Sequence, residues 1–93
     1  MKIVINDTYG GFSVSKAVYE ELGKEWDGYG FLSDDVKTRS DPKLIAAIEK
    51  LGIKASNHKH SSLKIIEIPD DVEVYIDDYD GEEIIHEVHR SWS

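Results

Sequence analysis

A glycine turn near the amino terminus is a local feature of this sequence that could bind a ligand. Tyr9-Gly10-Gly11-Phe12 follows an apolar run and precedes Ser13, a residue type that often caps helices. Glycines let a ligand approach the backbone closely, and the free N–H groups at a helix start attract anions such as phosphate. Because neither GxxxxGKS/T nor GxGxxG is present, an ordinary tight turn before a capped helix is the competing interpretation.

Arginine and tryptophan side chains extend this candidate site. Arg90 and Trp92 lie in the last residues, and Arg39 stands just before a predicted helix. Arginine binds carboxylates or phosphates through paired hydrogen bonds, and tryptophan stacks on planar or cationic groups. The alternative is that Trp92 covers a sheet edge and Arg90 pairs with a glutamate. For a bound ligand, the predicted contacts are Tyr9, Gly10, Gly11, Phe12, Arg39, Arg90 and Trp92.

Recognisable catalytic and metal-binding patterns are missing from the sequence. It has no cysteine, no HExxH and no serine in a nucleophile elbow, so we predict no metal and no cofactor. His58 and His60 lie in a polar loop, and His86 is interpreted as a core-edge residue opposite Val74. A small hydrolase or transferase that pairs His86 or His89 with a carboxylate stays open as an alternative.

Acidic residues are concentrated near the carboxy terminus. The net charge is −8, and no Lys or Arg occurs between Glu67 and Val88. This segment is either a solvated hairpin or a negative patch that docks a basic partner or mimics nucleic acid. Such charge opposes direct binding to nucleic acid and to anionic membranes. The predicted partner contacts are Asp77, Asp78 and Asp80.

The length and the hydropathy of the chain predict a single α+β domain that spans residues 1–93. Its apolar runs are too short for a membrane span or a signal sequence, and the missing cysteines fit a reducing compartment, so we expect a cytoplasmic protein. A core of this size leaves a small stability margin, and homo-oligomerisation would add buried area.

The pattern along the chain predicts the order β-α-α-β-β-β. A strand over Lys2 to Asn6 is followed by a helix that Ser13 caps, that begins at Val14 and that Gly23 ends. Residues 24–40 are predicted to be a long loop or flap, whose aromatic side chains fold over a surface of the domain or over a partner.

The second predicted helix has the clearest signals. Asp41 is its N-cap, Pro42 is its first residue and Gly52 ends it. A strand over 63–68 follows, and then a hairpin around Tyr79-Asp80-Gly81. We predict a four-stranded, mostly antiparallel sheet with both helices packed on one face.

The register of the hairpin is predicted from its apolar pattern. A two-residue loop would mix apolar and acidic side chains on one face, so a three-residue loop with Gly81 in the left-handed conformation is favoured. The predicted pairs are Ile76 with Ile84, Val74 with His86 and Val72 with Val88.

Three phrases of the sequence resemble a family of small uncharacterised proteins encoded by bacteriophages and prophages. They are IVINDTYGGFSVS, RSDPKLIAAIEKLG and LKIIEIPDDVEVYIDDYDGEEIIHEVHRSW, which cover most of the chain except 24–38 and the NHKH stretch. The resemblance implies a non-enzymatic binding protein in the host cytoplasm that antagonises a host factor. It would either mask a host protein or sequester a nucleotide-like small molecule. An oligomeric structural accessory protein is the third interpretation.

Overall fold

The computed structural model describes residues 1–9, 11–33, 35–58 and 61–88 of the chain. In chain order, these ranges contain strand β1 (Lys2–Asn6), helices α1 (Lys16–Glu21), α2 (Val36–Arg39), α3 (Pro42–Leu51) and α4 (Ile53–Ser56), and strands β2 (Leu63–Glu67), β3 (Val74–Tyr79) and β4 (Glu82–Glu87). The predicted α+β class is confirmed. Within the described ranges no helix is long and apolar enough to cross a membrane.

The strands of the described chain form two sheets of two strands each, so the predicted single four-stranded sheet is not confirmed. β1 pairs antiparallel with β2, and β3 pairs antiparallel with β4. Near β4, the backbone N–H of Asn6 donates to the Glu83 carboxylate at 2.8 Å. The Glu83 side chain therefore accepts the hydrogen bond from Asn6. In a continuous sheet, a backbone carbonyl of the neighbouring strand would accept it.

The first helix begins at Lys16, two residues later than the predicted first helical residue Val14, and its N-cap is Ser15 instead of Ser13. Val14 instead forms an isolated antiparallel bridge with Asn57, and its N–H donates to the carbonyl of Gly30 at 2.9 Å. Because Val14 is held in extended pairing on both sides, the helix starts only at Lys16.

The predicted second helix, now α3, is confirmed. The Asp41 side chain accepts a hydrogen bond from the N–H of Lys43, Pro42 is the first helical residue, and Gly52 follows the last turn with a φ of 87°. These signals are local to the helix, which explains why they could be interpreted without knowledge of the tertiary structure. The extra turn α4 was not predicted.

The segment 24–40 contains helix α2, which the sequence pattern did not predict. Its N-cap is Asp35, whose carboxylate accepts from the N–H of Thr38 at 2.6 Å. Trp26 and Leu32 pack against the hydrophobic core. Of the aromatic residues of the segment, Trp26 therefore folds over a surface of this same chain, whereas Tyr29 and Phe31 are exposed.

The hydrophobic core lies between β1, the helices and β2. Ile3, Val4 and Ile5 are all buried, which means that both faces of β1 are covered. The core cluster consists of Val4, Phe12, Val14, Val18, Tyr19, Leu44, Ile45, Ala47, Ile48 and Leu63.

The predicted hairpin register is wrong. Ile76 pairs with Ile85, and Val74 pairs with Glu87. The loop has two residues, Asp80 with a φ of 57° and Gly81 with a φ of 91°. Positive φ at both loop residues is typical of the type I′ turn, whose twist matches that of antiparallel strands.

In the observed register, one face of the hairpin carries both apolar and acidic side chains, and the acidic Glu83 on that face is stabilised by a residue distant in sequence. Glu83 lies opposite Asp78, on the face of the hairpin that packs against the rest of the chain. Its carboxylate is buried and pairs with the Arg39 guanidinium of α2. The apolar pattern of the hairpin contains no sign of this arginine. The prediction therefore favoured a register with fewer acidic side chains on the face that packs against the rest of the chain.

Candidate functional site

The structure brings four of the predicted contact residues to one cavity. Gly11, Phe12 and Arg39 line it together with Asp78. Tyr9 is exposed, and it is not among the lining residues. The predicted contacts Gly10, Arg90 and Trp92 lie outside the described residues.

Arg39 is the centre of this region and is only 1% exposed. Its two terminal nitrogens donate to the Glu83 carboxylate at 2.6 and 2.9 Å, and its Nε donates to the carbonyl of Ser33 at 3.0 Å. Its Cζ lies 3.4 Å from the centre of the Phe12 ring, which adds a cation–π contact. The charge of Arg39 is therefore neutralised inside the protein.

Asn6, at the end of β1, connects this ion pair to the hairpin loop. Its backbone N–H donates to Glu83, and its side-chain amide donates to the carbonyls of Thr8 at 2.6 Å and Gly81 at 2.7 Å. The side-chain oxygen accepts from the N–H of Ser62 at 2.9 Å. One buried asparagine thus joins β1, the hairpin and the segment that enters β2.

The cavity has a volume of about 400 Å³. Its wall combines apolar and polar side chains, namely Phe12, Phe31, Leu32, Ser33, Arg39, Asp78 and Glu83. Since Arg39 and Glu83 neutralise each other, the remaining charge among the described lining residues is that of Asp78. This arrangement is unfavourable for an anionic ligand, because among the lining residues that the structure describes an anion would meet the Asp78 carboxylate and no uncompensated cation.

A tight turn at residues 27–31 holds an exposed aromatic pair beside the cavity. The Asp27 carboxylate accepts from the N–H groups of Gly30 and Tyr29, each at 2.7 Å. Tyr29 and Phe31 stack with ring centres 5.7 Å apart and nearly parallel planes. These two rings were not among the predicted ligand contacts, although they lie in the segment expected to cover the domain or a partner, and the Asp-Gly-Tyr-Gly string is a recognisable turn signal.

The turn also perturbs two titratable groups. Donation from the N–H of Gly30, and then of Tyr29, lowers the pKa of Asp27 below its ordinary value. Burial raises the pKa of Tyr19, and a hydrogen bond from its hydroxyl to Asp27 raises it further. The Tyr19 hydroxyl also contacts the carbonyl of Phe31, which ties the aromatic pair to the core.

We expect acidification to loosen this turn. Because the pKa of Asp27 is lower in the folded protein, its stabilising effect is complete above the ordinary value of 3.8 and is lost as the pH falls through the lowered pKa. In an NMR titration, the Asp27 carboxyl carbon and the amides of Tyr29 and Gly30 should share one midpoint below that of a free peptide of the same sequence. The matched control is Asp27→Asn, in which this amide titration should vanish. A midpoint equal to the peptide value would contradict the expectation.

The other face of the hairpin is exposed and carries aromatic and acidic side chains. We call it the outer face, and it consists of Tyr75, Asp77 and Tyr79 from β3 and Glu82, Ile84 and His86 from β4. Tyr75, Tyr79 and Ile84 are 49%, 75% and 48% exposed, respectively. Large apolar groups at this exposure are typical of surfaces that bind other proteins.

The three acids predicted to contact a partner lie in different places. Asp77 is on the outer face, Asp78 is on the inner face beside the cavity, and Asp80 is in the hairpin loop. The Asp78 carboxylate accepts from the N–H of Gly81 at 2.8 Å, so it also supports the loop.

The histidine predicted to be a core-edge residue lies on the outer face. His86 is opposite Tyr75, not Val74, and stacks on the Tyr75 ring at 5.4 Å. Its Nε2 lies 3.3 Å from the Asp77 carboxylate, and both side chains are about half exposed. The proximity that a His-carboxylate enzyme needs is present, although on an open surface. His89 lies outside the described residues, and within the described ones no three His, Asp or Glu side chains group as metal ligands.

The described candidate site therefore combines a neutralised arginine, exposed aromatic rings and the carboxylates of a hairpin that contains no Lys or Arg. Such surfaces favour cationic groups, since aromatic faces and carboxylates both attract positive charge. No family model, curated protein or solved structure matches the chain, so the site is interpreted from its own geometry and charge.

Proposed function

We propose that this protein is a non-enzymatic binding protein that masks a basic surface of a host protein with the outer face of its hairpin. One observation carries the proposal. Tyr75, Tyr79 and Ile84 are exposed together on a face whose charged neighbours are acidic. Tyrosine supplies much of the binding energy in protein interfaces, and acidic neighbours select a basic partner.

The charge of the hairpin supports a partner of a different kind rather than a second copy of this chain. The stretch from Glu67 to Val88 holds ten acidic residues and no Lys or Arg. Two such hairpins face to face would bring like charges together, which opposes association. A homo-oligomer that uses another surface is compatible with this argument.

The local charges favour protein masking over the sequestration of a nucleotide-like ligand. Arg39 and Arg90 were the arginines predicted to contact a phosphate. Of these, Arg39 lies within the described residues, and it is already paired with Glu83. The cavity beside it carries the carboxylate of Asp78. A phosphate group would have to displace a buried carboxylate or lie near one, and both are energetically unfavourable.

The resemblance to phage-encoded proteins makes a bacterial host protein the expected partner. Masking requires affinity and no catalytic step, which is consistent with a hairpin face that contributes contact area and charge. The cytoplasm of the host cell is the compartment that this proposal implies.

The test begins with capture of a partner from a bacterial lysate by the immobilised protein. The dissociation constant of the purified partner is then measured for the unmodified chain, for Tyr79→Ala and for Tyr29→Ala. We expect Tyr79→Ala to weaken binding by about tenfold or more, because exposed interface tyrosines often contribute about 2 kcal/mol. Tyr29→Ala is the matched control, since Tyr29 is also an exposed tyrosine but does not belong to the outer face.

Charge is tested with Asp77→Asn at low and high ionic strength. The variant should slow association mainly at low ionic strength, because salt screens attraction between exposed charges. The proposal is wrong if no protein is captured, if the captured protein binds Tyr79→Ala as tightly as the unmodified chain, or if its contact surface is acidic.

A further inference from the structure

The cavity on the inner side of the hairpin has the chemistry of a site for an organic cation. We infer that it binds the side chain of an arginine or a lysine presented by a polypeptide. The inference concerns a second site, and it holds whether or not the outer face binds the proposed partner. The inferred ligand is a cation, whereas the glycine turn had suggested an anion such as phosphate.

Aromatic side chains give the first argument. Phe31 lines the cavity and is 59% exposed, and its stacking on Tyr29 holds the ring in place. Phe12, also in the wall, already binds a cation on one face, because the guanidinium of Arg39 lies 3.4 Å from its ring centre. The protein therefore uses aromatic–guanidinium contact within this same wall, and Phe31 offers an accessible ring for another one.

Charge gives the second argument. Glu83 is neutralised by Arg39, which leaves the Asp78 carboxylate as the net charge of the described part of the lining. One of its oxygens accepts from the N–H of Gly81, which fixes the orientation of the carboxylate. A carboxylate of fixed orientation beside an aromatic ring is complementary to a guanidinium or ammonium group.

Size gives the third argument. At about 400 Å³ the cavity lies near the lower end of the roughly 300–1,000 Å³ that is typical of ligand sites. It can hold one long side chain but not a folded element of a partner. An extended peptide that places one basic side chain in the cavity fits both its volume and its openness to solvent.

The experiment compares two short peptides that differ in one charge. Acetyl-Gly-Arg-Gly-amide and acetyl-Gly-citrulline-Gly-amide are titrated into the ¹⁵N-labelled full chain, with amide shifts as the readout. Citrulline has nearly the shape of arginine but is neutral. We expect saturable shifts at Gly11, Phe31 and Ser33 with the arginine peptide, and at least fivefold weaker binding of the citrulline peptide. Free spermidine is the third probe, and it should bind more weakly than the arginine peptide at these amides.

Two variants localise the effect. Phe31→Ala should weaken binding of the arginine peptide by about two- to fivefold, the range expected for an exposed cation–π contact. Asp78→Asn should weaken it by a similar factor, since asparagine keeps an acceptor for the N–H of Gly81 but loses the charge. Tyr9→Ala is the control, because Tyr9 is an exposed aromatic residue outside the cavity lining, and binding should not change.

Several outcomes overturn the inference. They are equal affinity for the arginine and citrulline peptides, no saturable shift, and spermidine binding as tight as that of the arginine peptide. Shifts confined to the outer face around Tyr75 and Ile84 would overturn it as well. Shifts confined to the outer face would agree with the proposed function. Conversely, loss of partner binding in Tyr79→Ala would support the outer face as the partner site and would not test the cavity. The two proposals can therefore fail separately.

Discussion

Glu83→Ala is expected to lower the free energy of unfolding by about 3–5 kcal/mol, the usual effect of removing one member of a buried ion pair. The substitution leaves the buried Arg39 guanidinium without its carboxylate, and it removes the acceptor of the Asn6 N–H. Domains of this size have a total stability of roughly 5–15 kcal/mol, so the loss is a large fraction of the whole. Urea unfolding followed by circular dichroism measures it.

Two further variants test whether the ion pair is the cause. Glu82→Ala removes a neighbouring glutamate of β4 whose side chain is less buried, and it should change stability by less than about 1 kcal/mol. The double variant Arg39→Met with Glu83→Leu replaces both charges by apolar groups and should recover the part of the loss that comes from the unpaired guanidinium, but not the part that comes from the Asn6 N–H. Equal effects of Glu83→Ala and Glu82→Ala would show that the pair contributes no specific stability.

Gly30→Ala is expected to destabilise the protein by about 2–5 kcal/mol, from backbone strain and steric overlap together. Gly30 has a φ of 79°, and a Cβ there would lie 2.0 Å from the carbonyl oxygen of Val14. That oxygen belongs to the backbone, and the N–H of Val14 is hydrogen-bonded to Gly30, so neither segment can move without breaking the contact.

Gly28→Ala separates these two causes. Gly28 has a similar φ of 87°, but a Cβ there meets no described atom within 4 Å. It should therefore show the strain alone, about 1–2 kcal/mol. Thermal and urea unfolding of both variants gives the difference, and equal losses would mean that the Val14 contact has no steric role.

Elements with local signals were predictable from the sequence. Asp41, Pro42 and Gly52 delimit α3 within its own residues, and the structure agrees. The start of α1 was not predictable in this way. Val14 is extended because Asn57 and Gly30 pair with it, and these partners are distant in sequence.

The hairpin illustrates the same limit at the candidate site. Its existence followed from the Asp80-Gly81 pair, but its register depends on the burial of Glu83, which Arg39 makes favourable from 44 residues away. Gly11, Phe12 and Arg39 were selected from sequence as possible contacts and do line one cavity. The sequence did not reveal that Arg39 already has an anionic partner, because pairing of charges is a property of the tertiary structure.

The bond between the Asn6 N–H and the Glu83 carboxylate spans 77 positions of the chain, and it constrains the order of folding. The hairpin can form early, because its strands are joined by two residues. Its docking must wait until nearly the whole described chain has been synthesised, and it closes a long loop at a high entropic cost. Until then the guanidinium of Arg39 lacks its carboxylate, so the buried arginine gains its partner only when the hairpin docks.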